Sequence, residues 1–489
     1  MAAAFIAAPP TVPLHAQARR ATAPDVIDTL AIRAHTRFLA DDLLRGRGTG
    51  TEGERLAAAY IESQLIAIGT RGLGPNGAFT MPVPLRTAII LPSSELVLTR
   101  GADHEPFTYG GRNFIANTGG GGAFHDFTGP VMYAGAPARA LPLLRASSEL
   151  RGAVIAFDGP LGGDAVGIIP LLIERGASGV LILVNESQMD LYVRSRGDRR
   201  FFAAANIADP VWQPDLPVLI VGPGVLPALL RDAPAALRAN PLTSLVTWQT
   251  RIAVSIRTEM HDVQAANVGA IIRGSDPQRR NDVILYTAHY DHLGISGPDA
   301  RGDSIYNGFS DNAAGSAMLL AIAKAFKQKP PAHSVAFMFF TGEERGLLGS
   351  SYAAANPPFP LSRIKALINL DAGAPPAPPI SWRVAGGIEA ADLGALAVDV
   401  ATRAGWTTAL SAASPNTDYW PFLHRGVPAV FIVPGNEWEN TTTAQRDAIR
   451  AKWDRYHQAG DEWAADFPFA GLQRYAAYAL AIGRAADRR

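Results

Sequence analysis

Val335, Ala336, Phe337, Met338, Phe339 and Phe340 form an apolar run with no polar alternation. A strand of this kind is buried on both faces, which demands helices on either side of its sheet and so a layered α/β architecture. After Thr341 and Gly342 the run ends in two adjacent carboxylates, Glu343 and Glu344, where a neutral turn would be expected. Open α/β sheets build their sites at the C-terminal ends of their strands. Neighbouring residues leave a strand end in different directions, so one carboxylate can ligate a metal while the other handles a proton.

Further groups follow the same rule. His289, Tyr290 and Asp291 come after the apolar stretch 283–288, and Asp371 closes the stretch 364–370. Asp311 opens Asp311, Asn312, Ala313, Ala314 and Gly315, from which a helical pattern runs to about 328, and His457 follows late in the chain. This set of imidazoles and carboxylates suits zinc, and less strictly manganese or cobalt. The chain contains no cysteine, which excludes thiolate sites and disulfides.

With 489 residues, 48% of them apolar, the chain is too long for one core and should form two or three domains. Its 44 basic and 44 acidic residues cancel, so no global field favours nucleic acid or an anionic membrane, and no stretch is long enough for a transmembrane helix. Residues 1–24 end an Ala- and Pro-rich stretch near Ala16, Gln17 and Ala18, a small-x-small pattern. That stretch is either a signal peptide lacking its basic start or a disordered tail. The first implies a periplasmic or secreted protein, while a cytoplasmic one stays open. Residues 25–122 are expected to supply N-terminal helices and a β-rich segment. Leu56, Tyr60, Ile61, Leu65 and Ile68 fall on one face of the second helix. Between the helices, Arg45, Gly46, Arg47, Gly48, Thr49 and Gly50 form a glycine-broken loop whose spacing fits no phosphate loop. Gly119 to Gly122 read as a flexible join. Residues 123–250 carry strands at 150–157, 179–184 and 218–221 and a helix at 165–176, and read as an inserted α/β module without candidate ligands. From 251 to 489 strands and helices alternate, the pattern of a mixed, mostly parallel sheet sandwiched by helices.

Together these motifs resemble the co-catalytic zinc aminopeptidase and glutamate carboxypeptidase family, peptidase clan MH. The resemblance rests on 288–294, 307–315, 341–344, Asn369 to Asp371, and Tyr456 with His457. It implies a zinc-exopeptidase fold, with 123–250 similar to an inserted protease-associated domain. It further implies two Zn2+ ions, one on His289 and Asp371, the other on Glu344 and His457, bridged by Asp311, with a cis Asp311–Asn312 peptide. Asp291 would accept the imidazole N–H of His289, and Glu343 would be the general base for a hydroxide held between the metals. Tyr419 stands where family members often carry a histidine. It is a candidate either for hydrogen bonding the oxyanion or for packing.

Taken singly, each residue has an ordinary structural use: Asp311 as a helix N-cap, His457 as a surface histidine, Asp371 as a turn cap, the glutamate pair as a helix start. All of these would have to hold at once for the site to vanish. No ligand position remains for His292, which is expected beside the ligands or in packing, and His261, His333 and His424 are expected to be structural. The implied activity is removal of N-terminal residues from peptides. The alternatives are a carboxypeptidase or another amidohydrolase with the same site, or a metal-free receptor-like binding protein. Arg345, Arg383 and Arg425 do not decide between amine and carboxylate recognition, and the oligomeric state is not legible.

Overall fold

The computed structural model describes residues 26–116, 125–148, 150–161, 167–196, 199–203, 216–231 and 242–489. The N-terminal signal or tail and the Gly119–Gly122 join lie outside the described residues. No described helix is long and apolar enough to cross a membrane.

A ten-stranded sheet organises the part that holds the candidate residues. Its centre is four parallel strands in the order Ala429–Pro434, Ile364–Asn369, Val283–His289 and Ser334–Phe340. The flanks are antiparallel: Thr258–Ile272 and then Thr80–Ile90 beyond Ser334–Phe340, and Ser381–Ala385 beyond Ala429–Pro434. The expected sheet is therefore mixed, with its parallel part concentrated where the site lies. Arg199–Ala203, from within the 123–250 block, adds a strand beside Thr80–Ile90.

Successive residues of the central strands point to opposite faces. Tyr286, Phe337, Ile368 and Val430 pack in the core that includes helices Ala314–Gln328 and Ala470–Asp487. Leu285, Ala336, Met338, Leu367 and Ala429 pack against Leu348–Ala355 and Trp420–Leu423. Burying each such large side chain contributes roughly 1.5–3 kcal/mol, which is why a run without alternation is stable only between two helical layers.

Helices Thr29–Leu39 and Glu52–Ile68 join the first of these cores. Ile61 and Leu65 are buried as expected, but Leu56 is exposed, and the small Ala57 and Ala58 take the inner face instead. A second, eight-stranded sheet has its own core, with four parallel strands, Phe127–Gly135, Val154–Asp158, Gly179–Leu183 and Val218–Val221, at its middle. Strands Glu95–Arg100, Asp103–Thr108 and Phe114–Ala116, assigned above to the N-terminal segment, pair into this sheet.

Candidate metal centre

Three parallel strands stop in register. His289 lies opposite Phe340, Thr287 lies opposite Asn369, and the pairing continues through Tyr290 N to Phe340 O (3.0 Å) and Leu370 N to Thr287 O (2.9 Å). One sheet edge thereby receives His289, the Thr341–Glu344 turn and Asp371. Gly342, at φ +66°, lets the chain turn there, a conformation that L side chains rarely adopt. Asp311 reaches the same place from the irregular turn before helix Ala314–Gln328, and its peptide bond to Asn312 is cis. Asn312 ties this turn to the Asp371 strand, donating to Leu370 O (3.0 Å) and accepting from Gly315 N (2.9 Å). Beneath it the buried Asp461 carboxylate accepts Ser310 N (3.0 Å) and Asp311 N (3.2 Å). His457 arrives on the loop after helix Thr443–Trp453, and the ring of Tyr456 stacks on it at 3.9 Å.

The ligand atoms form two sets that share Asp311. His289 Nε2 is 2.9 Å from Asp371 Oδ1 and 3.2 Å from Asp311 Oδ1. His457 Nε2 is 3.0 Å from Asp311 Oδ2 and 3.3 Å from Glu344 Oε2. Donors around one tetrahedral zinc lie roughly 3.3 Å apart, so both sets have the spacing of cation ligands. His457 Nε2 is buried without a well-formed hydrogen bond, an orphan that a cation would satisfy. Groupings able to hold a metal include His289, Glu343 and Asp371, and separately His292, Asp311 and Glu344.

Burial opposes every charge here, and the partners decide the outcome. Burial pushes Asp311 upward, but His289 and His457 outweigh it and hold its carboxyl well below the usual range. Burial likewise acts against Glu344, yet His292 and His457 hold it down at about 2. His457 is drawn up to about 10 against its burial by Asp311 and Glu344. Glu343 behaves oppositely: burial, with Asp371, Asp418 and Glu344 nearby, raises its carboxyl well above the usual range.

The structure thus brings His289, Asp291, Asp311, Glu343, Glu344, Asp371 and His457 together. Asp291 differs in detail from expectation. His289 Nδ1 is 3.1 Å from the main-chain oxygen of Asp291 and 3.6 Å from its carboxylate. The carboxylate instead accepts Glu343 N (3.1 Å) and Thr49 Oγ1 (2.8 Å), so it holds the main chain of the glutamate turn.

Tyr419 is not at the centre. Its ring is fully buried in the smaller core beside Phe431, and its hydroxyl accepts Ser414 N (2.6 Å). The neighbour Asp418 faces the site instead. It is fully buried, neither carboxylate oxygen has a well-formed hydrogen bond, and burial pushes it up to about 8. Thr417 donates to Asp371 Oδ2 and accepts Asn369 Nδ2 (2.8 Å). Only the family pattern drew attention to this loop, and of the two readings offered for Tyr419 the packing one fits its placement.

His292 matters more than its sequence context suggested. It is fully buried, and Nδ1 donates to Glu344 Oε1 at 2.7 Å. Gly308 makes room for it, since a Cβ there would lie 2.5 Å from the imidazole Cγ. The bond leaves Glu344 Oε2 as the oxygen turned to His457, whose Nε2 also faces Asp311 Oδ2. Replacing His292 with alanine is expected to weaken zinc binding about 10–100-fold, the usual cost of losing a group that orients a ligand. Chelator competition measures this, and an unchanged affinity would show that His292 only packs.

A mixed sheet sandwiched by helices, with imidazoles and carboxylates at the ends of its central parallel strands, is a fold shared with solved aminopeptidase structures. Residues 267–482, the part of the chain that carries all the gathered ligand candidates, match the model of Peptidase family M28. The fold is similar to solved structures of an aminopeptidase from Aneurinibacillus sp. strain AM-1 (18% identity, TM-score 0.54, 94% of this chain and 93% of the other). It is also similar to that of a zinc aminopeptidase from Bacillus subtilis (16% identity, TM-score 0.52, 94% of each chain). At such identities the likeness concerns the fold alone. A protein of Pyrenophora tritici-repentis named "Probable zinc metalloprotease" is 34% identical over 110 residues, 22% of this chain and 24% of that one. A "probable leucine aminopeptidase 2" of Aspergillus oryzae is 28% identical over 208 residues, 40% and 39% of the two chains. The matched region spans less than half the length of these curated relatives.

Proposed function

We propose that the protein is a dinuclear zinc aminopeptidase, removing N-terminal residues from peptides. The observation that carries this is the pair of ligand sets sharing Asp311, with a further carboxylate, Glu343, beside them. His289, Asp371 and Asp311 would hold one ion, and Glu344, His457 and Asp311 the other. Zinc bound there supplies Lewis acidity toward a carbonyl oxygen and lowers the pKa of water. Glu343 takes a proton from the water attacking the scissile carbonyl and delivers it to the leaving amine. Asp291 keeps Glu343 in place through its backbone N–H.

The crowding of carboxyl groups at the centre, from Asp291, Asp311, Glu343, Glu344, Asp371 and Asp418, suits an incoming amine better than another carboxylate. Of the arginines weighed for carboxylate binding, Arg383 donates to Ser411 Oγ (3.4 Å) and Arg425 to Pro421 O (3.2 Å), while Arg345, beside Glu344, donates to Leu293 O (3.5 Å). The names of the aminopeptidase relatives support the same choice. The block 123–250 is proposed as a protease-associated-like insert walling the cleft. Export to the periplasm or beyond is proposed from the Ala16, Gln17 and Ala18 pattern.

The test is hydrolysis of free, N-blocked and C-blocked peptides, with and without chelator. Free and C-blocked peptides should be cleaved and N-blocked ones spared, with all activity lost to chelator and restored by zinc. Cleavage that needs a free C-terminus would assign a carboxypeptidase. Activity indifferent to chelator would refute the metal centre.

A further inference from the structure

The glycine-broken loop at 45–50 has no place in the chemistry above, yet it lies directly under the site. Arg47 is 1% exposed and its guanidinium donates to four main-chain oxygens: Tyr290 O (2.8 Å), Asn307 O (2.6 Å), Gly308 O (3.0 Å) and Leu39 O. Tyr290 adjoins His289, and Gly308 lies three residues before Asp311. One side chain therefore joins the two segments whose spacing sets the distance between His289 and Asp311. In return Arg47 O accepts His292 N (3.1 Å). Thr49 Oγ1 fixes the Asp291 carboxylate at 2.8 Å, and the buried Glu54 accepts Gly50 N (2.6 Å) and the hydroxyl of Thr341 in the glutamate turn.

The loop is pressed too close for side chains: a Cβ on Gly46 would lie 2.4 Å from Tyr306 O and 2.5 Å from Gly294 O. Burial draws the Arg47 pKa down to about 10, so it stays charged at neutral pH beneath Asp291, Asp311 and Glu344. No smaller cation replaces it, because only a guanidinium offers five donors in a planar fork.

We propose that Arg47 is a positioning residue for the metal centre. Its guanidinium holds the His289 and Asp311 segments at ligand spacing, while Thr49 orients Asp291 and through it the backbone of Glu343. This rests on the dinuclear reading of the site.

The test compares Arg47→Met, Arg47→Lys, Thr49→Val and Thr49→Ser in the full chain. Zinc affinity is read by chelator competition, Co2+ geometry by visible absorption, and kcat and KM on a free peptide. Arg47→Met, checked as folded by circular dichroism, should bind zinc at least about 10-fold more weakly and shift the cobalt spectrum. Arg47→Lys should recover part of both. Thr49→Val should lower kcat with little change in KM, and Thr49→Ser should restore it. Should Arg47→Met not fold, the Thr49 pair decides. A wild-type protein holding two ions, with wild-type cobalt spectrum and kcat in the folded variants, overturns the positioning role alone. A wild-type protein that cannot hold two ions overturns the dinuclear reading and this role with it.

Discussion

Asp311→Ala is expected to remove both of the proposed metal ions from the protein. Asp311 places one carboxylate oxygen 3.2 Å from His289 Nε2 and the other 3.0 Å from His457 Nε2, so it belongs to both ligand sets. Without it each ion keeps two protein ligands instead of three, too few for the tetrahedral sites that zinc prefers. The charge consequence is as large, since a carboxyl that its histidines hold well below the usual range disappears from the middle of the cluster. Bound zinc measured after dialysis should fall from two ions per chain toward zero, and activity should vanish with it. Two tightly bound ions in this variant would show that the bridge is misassigned.

Glu343→Gln should separate binding from chemistry. The glutamine keeps the shape and the backbone bond to Asp291, and it touches neither half of the Asp311 bridge. It cannot accept and return a proton. Two ions should remain bound while kcat falls by about 10²–10⁴-fold, the usual contribution of a general base. Turnover near the wild-type level would move the proton-transfer role to another group, with the buried Asp418 the first to examine.

The site was legible in sequence wherever a functional residue follows a strand buried on both faces. The runs before His289, Glu343 and Asp371 are apolar at every central position, so their ends were conspicuous. Among the strands that escaped notice, two did so for the opposite reason. Thr407–Ser411 lies at the sheet edge and is mostly exposed, and Ser381–Ala385 alternates buried and open positions, so neither shows an apolar run. His292 and Arg47 were hidden by what they bind. A histidine capping a carboxylate, or an arginine holding main-chain oxygens, needs partners distant along the chain, and no local pattern encodes them. At Tyr419 a family pattern drew attention to the loop, but packing, which local sequence does not encode, turned Asp418 rather than Tyr419 toward the site.

The parts beneath the site also bear on how the protein can be cut. The family match begins at residue 267, whereas Arg47, Thr49 and Glu54 lie more than two hundred residues earlier. A shortened protein drawn to the matched range would contain every proposed ligand and would lack the groups that space them. Its cut edge would also expose Asp291 and Thr341 where Thr49 and Glu54 now sit. Useful expression boundaries therefore lie before the helix Thr29–Leu39, outside the region that the family model matches.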